Sequence, residues 1–144
     1  QDRLELARKN YGVEIVNVDA EDVDQKMQKC FKYGKADIIF EATGVAAIIG
    51  SMLPQLRPHG ELILVGVYHD NSEMNLLPAG RGELTIRGTF CYTLSEFEYA
   101  IKLVEAGKIN FDGIVNTVDL ENLDEGFERT MSKESIKIVA YSKA

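Results

Sequence analysis

Cysteine and histidine are scarce in these 144 residues, with two of each. Cys30 and Cys91 form no C-x-x-C pair, and one possible bridge is not a disulfide framework. A reducing, cytoplasmic setting is therefore the expectation. His59 and His69 stand singly, so no zinc site is legible in the spacing. No apolar run approaches the ~20 residues of a membrane span. Positive charge is also in deficit: 16 Lys and Arg against 23 Asp and Glu leave a net charge of −7. Nucleic acids and anionic membranes require a basic footprint, which this balance does not supply. There is no initiator Met, and the charged opening segment has none of the features of a signal peptide. The expectation is a fragment or a processed chain. Finally, no G-x-G-x-x-G precedes an apolar strand, so the usual phosphate-binding turn of an α/β sheet is not among these residues.

What is present is three apolar runs at similar spacing. Residues 36–44 (ADIIFEATG), 60–66 (GELILVG) and 83–90 (ELTIRGTF) are short, and glycine marks their ends. Runs of this kind fit buried parallel strands, and glycine where a strand meets its loop allows close approach to the backbone at the ligand edge. Between them lie helical patterns. Leu4, Leu6, Ala7 and Tyr11 share one helix face that Gly12 closes. A second helix starts at Asp19 or at Glu21 and Asp22, passes Met27, Cys30 and Phe31, and stops near Gly34. Residues 13–18 alternate and predict a strand; 45–53 predict a helix cut off by Pro54 and by a turn at 57–60.

Later, 74–77 predict an extended run before a turn at 80–82, and Ser95 with Glu98 predicts a capping box for a helix ending at Gly107. Residues 114–118 and 135–141 predict strands around a helix at 123–131. A hydrophobic fraction of 45% and a charged fraction of 27% are ordinary for a globular chain long enough to bury a core. Strands alternating with helices give an α/β class with a largely parallel sheet.

In this order the pieces resemble the medium-chain dehydrogenases/reductases, in particular zinc-type alcohol, polyol and threonine dehydrogenases. The matching segments are 3–7 (RLELA), 37–44 (DIIFEATG), 56–60 (LRPHG) with 64–67 (LVGV), 83–88 (ELTIRG), 106–109 (AGKI), 125–128 (EGFE) and 135–139 (SIKIV). The resemblance implies an incomplete Rossmann-like doubly wound sheet whose first two strands and Gly-rich turn lie outside this chain. It also implies a partial dinucleotide-binding domain at 1–91 and, at 92–144, a segment that returns to the catalytic domain. The implied cofactor is NAD or NADP.

In such an enzyme Arg3 would approach the adenosine ribose, and Thr43, Gly44 and Val45 would lie along the adenosine. Val65 and Val67, with Gly66 between them, would border the nicotinamide, and the backbones of Val65, Thr89 and Cys91, with Phe90 among them, would face its carboxamide. Lys137 would place a cation against the pyrophosphate. Zinc would be held only by an N-terminal domain absent here, and no residue of this chain is expected to be catalytic. Glu41, at a strand end, is expected in a supporting role.

The parent is thus expected to oxidise a secondary alcohol or polyol-like substrate, or to run the reverse, with this chain inactive alone. A homodimer, or a tetramer of such dimers, is expected through the 74–90 sheet edge, with Met74, Leu76, Leu77 and Ile86 near the contact. His59 stands where the family usually has glycine, harmless so long as its φ is negative. One rival reading is a non-catalytic dinucleotide-binding or assembly domain. Another is a different doubly wound domain such as a methyltransferase or receiver; Asp19 and Asp37 do not fall where a receiver needs its acids.

Overall fold

The computed structural model describes residues 2–69, 71 and 73–142. The elements run α1 (Asp2–Tyr11), α2 (Val23–Cys30), β1 (Ala36–Glu41), α3 (Ile49–Met52), β2 (Leu56–Leu64), α4 (Leu77–Gly82) and β3 (Thr85–Gly88). After these come α5 (Leu94–Glu105), β4 (Val115–Asp119), α6 (Leu123–Met131) and β5 (Lys137–Tyr141). The class is α/β with parallel strands, as expected. The chain divides into two compact units, one spanning Val16–Thr93 and the other joining the residues up to Ile15 with those from Leu94 onward. The first helix thus groups with the C-terminal segment.

In the Val16–Thr93 unit, β1, β2 and β3 form a three-stranded parallel sheet in that order. Asp22 accepts from the Gln25 amide at 3.2 Å and starts α2, as its short acidic side chain favours. The core lies on one sheet face. Ala36, Ile49, Leu53, Leu56 and Leu62 are buried there, and Met27, Ile39, Leu64, Ala79 and Leu84 pack against them. On β1, Ile38 and Phe40, which alternate with Ile39, are 49% and 64% exposed. Each large apolar side chain left in water forgoes roughly 1.5–3 kcal/mol of burial.

Four expectations need correction here. Residues 13–18 form no strand, because alternation makes a strand only where a neighbour takes its hydrogen bonds. The helix expected at 45–53 is broken into 3-10 turns at Ala46–Ile48 and Leu53–Gln55 around the single turn of α3. The extended run and turn expected at 74–82 end in a short helix, α4, with Pro78 in its first turn, where the missing amide costs nothing. Ser95 is the second residue of α5, one position inside the helix and not before it.

The turn at 57–60 is instead a bulge in β2. The register passes from Ala36 opposite Leu56 to Ile38 opposite Glu61. Within it His59 takes φ +60, the left-handed region, contrary to the condition under which it would be harmless. Its ring nitrogen lies 3.4 Å from the Glu83 carboxylate, an exposed contact of little weight. His59→Gly is therefore expected to stabilise the protein by roughly 0.5–1 kcal/mol. A thermal midpoint that falls in this variant would contradict the strain.

In the other unit, Gly12 closes α1 with φ +63 and donates to the Arg8 carbonyl at 2.8 Å. Asn10 donates to the Asp112 carbonyl at 2.8 Å and Tyr11 to that of Asn110 at 2.6 Å, tying α1 to the segment before β4. Strands β4 and β5 pair in parallel, from Val115 opposite Lys137 to Asp119 opposite Tyr141. Helix α6 crosses them at Gly126, where a Cβ would come within 3.0 Å of Ile138 and 3.3 Å of Val118. Asp119 hydrogen-bonds Tyr141 and raises its phenol above the usual range.

Candidate functional site at the strand ends

Three parallel strands point their carboxyl ends the same way, and in open α/β sheets ligands bind beyond such ends. The chain leaves β1 at Glu41, whose carboxylate is fully buried. One carboxylate oxygen accepts from the Thr43 amide at 2.7 Å and from the Thr43 hydroxyl. The other accepts from the Gly44 amide at 3.2 Å and from the Tyr68 hydroxyl. The Thr43 hydroxyl in turn accepts from the Val45 amide at 3.1 Å. The Glu41 carbonyl accepts from the amides of Val65 at 2.8 Å and Gly66 at 2.9 Å, just past β2.

Burial alone would raise the Glu41 carboxyl. The Thr43 and Tyr68 hydroxyls and the Thr43 and Gly44 amides outweigh it and bring the group from 4.5 down to about 2. Tyr68 moves the other way, from 10.0 up to about 12, through burial, its bond to Glu41 and the charge it faces. A carboxylate depressed on folding contributes stability that is complete above its unfolded pKa and is lost as pH falls through the folded one. Stability is thus expected to hold above about pH 5.5 and to decline from about 4.5 toward about 2. Acid titration followed by circular dichroism checks this, and Glu41→Gln should flatten that part of the curve.

The two loops touch through glycine. Gly44 takes φ +73, and a Cβ there would press on the Val67 carbonyl. A Cβ at Gly66 would stand 2.6 Å from both the Gly44 Cα and the Glu41 carboxylate. The loop after β3 joins them when the Thr89 amide donates to the Leu64 carbonyl at 3.0 Å. Beyond it Phe90 is 88% exposed and Cys91 takes φ +57.

Thr43, Gly44, Val45, Val65, Gly66, Val67, Thr89, Phe90 and Cys91 therefore lie on successive strand-end loops of one sheet. Arg3 and Lys137 lie in the other unit. Arg3, on α1, is 3.5 Å from the Lys133 carbonyl. Lys137, on β5, lines a cavity of about 480 Å³ with Phe127, Ile136 and Ile138. Tyr68 was not singled out by sequence reasoning, since nothing periodic links it to Glu41. Among the described residues no three His, Cys, Asp or Glu side chains converge as metal ligands do.

A family profile described as zinc-binding dehydrogenase matches residues 1–106. The chain belongs to the zinc-binding dehydrogenase family. The resemblance to zinc-type medium-chain dehydrogenases is thereby borne out. Over 143 residues the chain is 31% identical to a (R,R)-butanediol dehydrogenase of Neisseria gonorrhoeae, covering 95% of this chain and 40% of that protein. Over 142 residues it is 28% identical to D-arabinitol dehydrogenase 1 of Uromyces fabae, covering 94% and 40%. The chain thus spans about two-fifths of the length of these curated relatives.

Among solved structures, an alcohol dehydrogenase from Thermus sp. ATN1 superposes with TM-score 0.86 at 25% identity over 99% of this chain and 42% of that one. A short chain alcohol dehydrogenase from Escherichia coli, solved with NADH, has TM-score 0.82 over 100% of this chain and 42% of that one. At 17% identity that second likeness shows the fold alone. The described residues do not themselves compose the metal site that the family's name implies.

Proposed function

We propose that this chain is the cofactor-positioning part of a nicotinamide-dependent, zinc-dependent oxidoreductase acting on a secondary alcohol or polyol-like substrate. The observation that carries the reading is the set of joined loops at the ends of β1, β2 and β3, the first two pressed together through Gly44 and Gly66 and the third tied in by the Thr89 amide. Their apolar side chains stand out from the sheet: Val45 is 50% exposed, Val65 45% and Val67 66%. Apolar side chains beside open backbone at a strand end suit the faces of a dinucleotide's rings. The curated relatives named above act on a vicinal diol and a pentitol, by their names.

Bound there, NAD or NADP would supply hydride acceptance or donation; this chain's residues would bind and orient it. Thr43, Gly44 and Val45 would border the adenosine. Val65, Gly66 and Val67, with Thr89, Phe90 and Cys91, would border the nicotinamide. Arg3 and Lys137 would contribute cations toward ribose and pyrophosphate. Residues 1–91 would then be the partial dinucleotide-binding domain and 92–144 the segment returning to a catalytic domain, which would carry the zinc. The 144-residue chain alone would be inactive. A cytoplasmic homodimer or tetramer through the 74–90 edge completes the reading, since β3 is an edge strand and Leu76, Leu77 and Ile86 stand exposed.

The test is NADH and NADPH fluorescence titration of the complete gene product that contains these residues. Turnover with 2,3-butanediol and arabinitol and light scattering accompany it. Binding with turnover is expected. Binding without turnover on any alcohol would favour a non-catalytic dinucleotide-binding domain, and no binding would sink both.

A further inference from the structure

We infer that Glu41 is a positioning residue that sets the spacing between the adenosine-side loop and the nicotinamide-side loop. The inference rests on the dinucleotide reading above. Glu41 reaches both loops from one buried point. Its side chain holds the Thr43 and Gly44 amides and, through the Thr43 hydroxyl, the Val45 amide. Its carbonyl holds the Val65 and Gly66 amides. The Tyr68 hydroxyl closes the far side by donating to the same carboxylate. A buried carboxylate with two oxygens accepts all four side-chain-directed bonds at once, which no neutral side chain of similar size does.

Glutamine keeps the shape but not the pattern. Its amide nitrogen would meet either the Gly44 amide or the Thr43 amide, donor against donor. The adenosine-side loop would then drift from a nicotinamide-side loop still held by the Glu41 carbonyl. A ligand spanning both loops must feel that drift, whereas one using a single loop need not.

The experiment measures NADH and AMP affinity of the complete gene product for wild type, Glu41→Gln and Tyr68→Phe. Glu41→Gln is expected to weaken NADH by about tenfold or more and AMP by no more than about threefold, the scale of one charge-assisted hydrogen bond. In turnover assays the KM for the dinucleotide should rise by the same factor with kcat changed less. Tyr68→Phe, which removes one donor and adds no clash, should shift NADH affinity in the same direction by about threefold. Equal affinities in wild type and Glu41→Gln would overturn the inference, as would equal losses for NADH and AMP. If wild type binds neither ligand, the proposed function fails instead. Hydrogen exchange at the Thr43, Gly44 and Val45 amides then decides for Glu41 alone: faster exchange in Glu41→Gln upholds the clamp, and unchanged protection overturns it.

Discussion

Replacing Gly66 by alanine is expected to destabilise the protein by about 3 kcal/mol or more, through backbone collision and not through lost flexibility. The added methyl would stand 2.6 Å from the Gly44 Cα and from the Glu41 carboxylate, and closer still to the Gly44 amide nitrogen. Two of these are backbone atoms, and the third is a side-chain oxygen pinned by the Gly44 amide and the Tyr68 hydroxyl. The Gly44 loop is held from behind by Glu41, so yielding would cost the Thr43 and Gly44 hydrogen bonds as well. For a domain of this size the thermal midpoint should fall by roughly 10 °C or more. Gly80→Ala is the control. Nothing lies within 4 Å of a Cβ there, and Gly80 sits in α4, so alanine should be neutral or stabilise by up to about 1 kcal/mol. Equal midpoints for Gly66→Ala and wild type would show that the two loops are not pressed together as described.

Glycine at 66 was legible as a strand-end glycine, but the reason for it was not. The apolar runs of β1 and β2 carry their own period, and α1, α2, α5 and α6 carry theirs, so each of these elements exists as the pattern requires, although β2 begins earlier, at Leu56, and α2 ends earlier, at Cys30. Residues 13–18 alternate equally well, yet a strand is a property of a pair, and the described residues supply no partner. Residues 77–82 contain one proline and two glycines and read as a turn; a proline in the first turn and the left-handed Glu83 after the last make them a helix instead. His59 shows the opposite limit, since a sequence names a residue without its φ. At the site, Glu41 stood out as an acid ending an apolar strand. Its bond to Tyr68 joins residues whose separation has no helical or strand period, so only the folded chain brings them together.

Truncating Phe40 tests whether this side of β1 stays exposed in the complete gene product. Here Phe40 is 64% exposed, and Ile38 beside it 49%, while Ile63, its register partner on β2, is only 7% exposed. Met27 of α2, Ile49 of α3 and Ala79 of α4 pack into the cluster of Leu53 and Leu62, which contains neither Ile38 nor Phe40. A sheet with parallel strands is ordinarily covered on both faces, because its crossovers place helices there. If further chain supplies that cover, as the proposed function requires, Phe40 becomes a core residue, and Phe40→Ala should cost about 3–5 kcal/mol. If the face meets water, the same change should stay within about 0.5 kcal/mol. Urea unfolding of the two proteins separates these values easily, since the gap is several times the usual extrapolation error. A small cost would leave the strand-end loops intact but remove the cover that the proposal requires. A large cost would mean that β1 is covered on both faces, with the site loop and the covered Phe40 side both depending on the residues between Ile38 and Glu41.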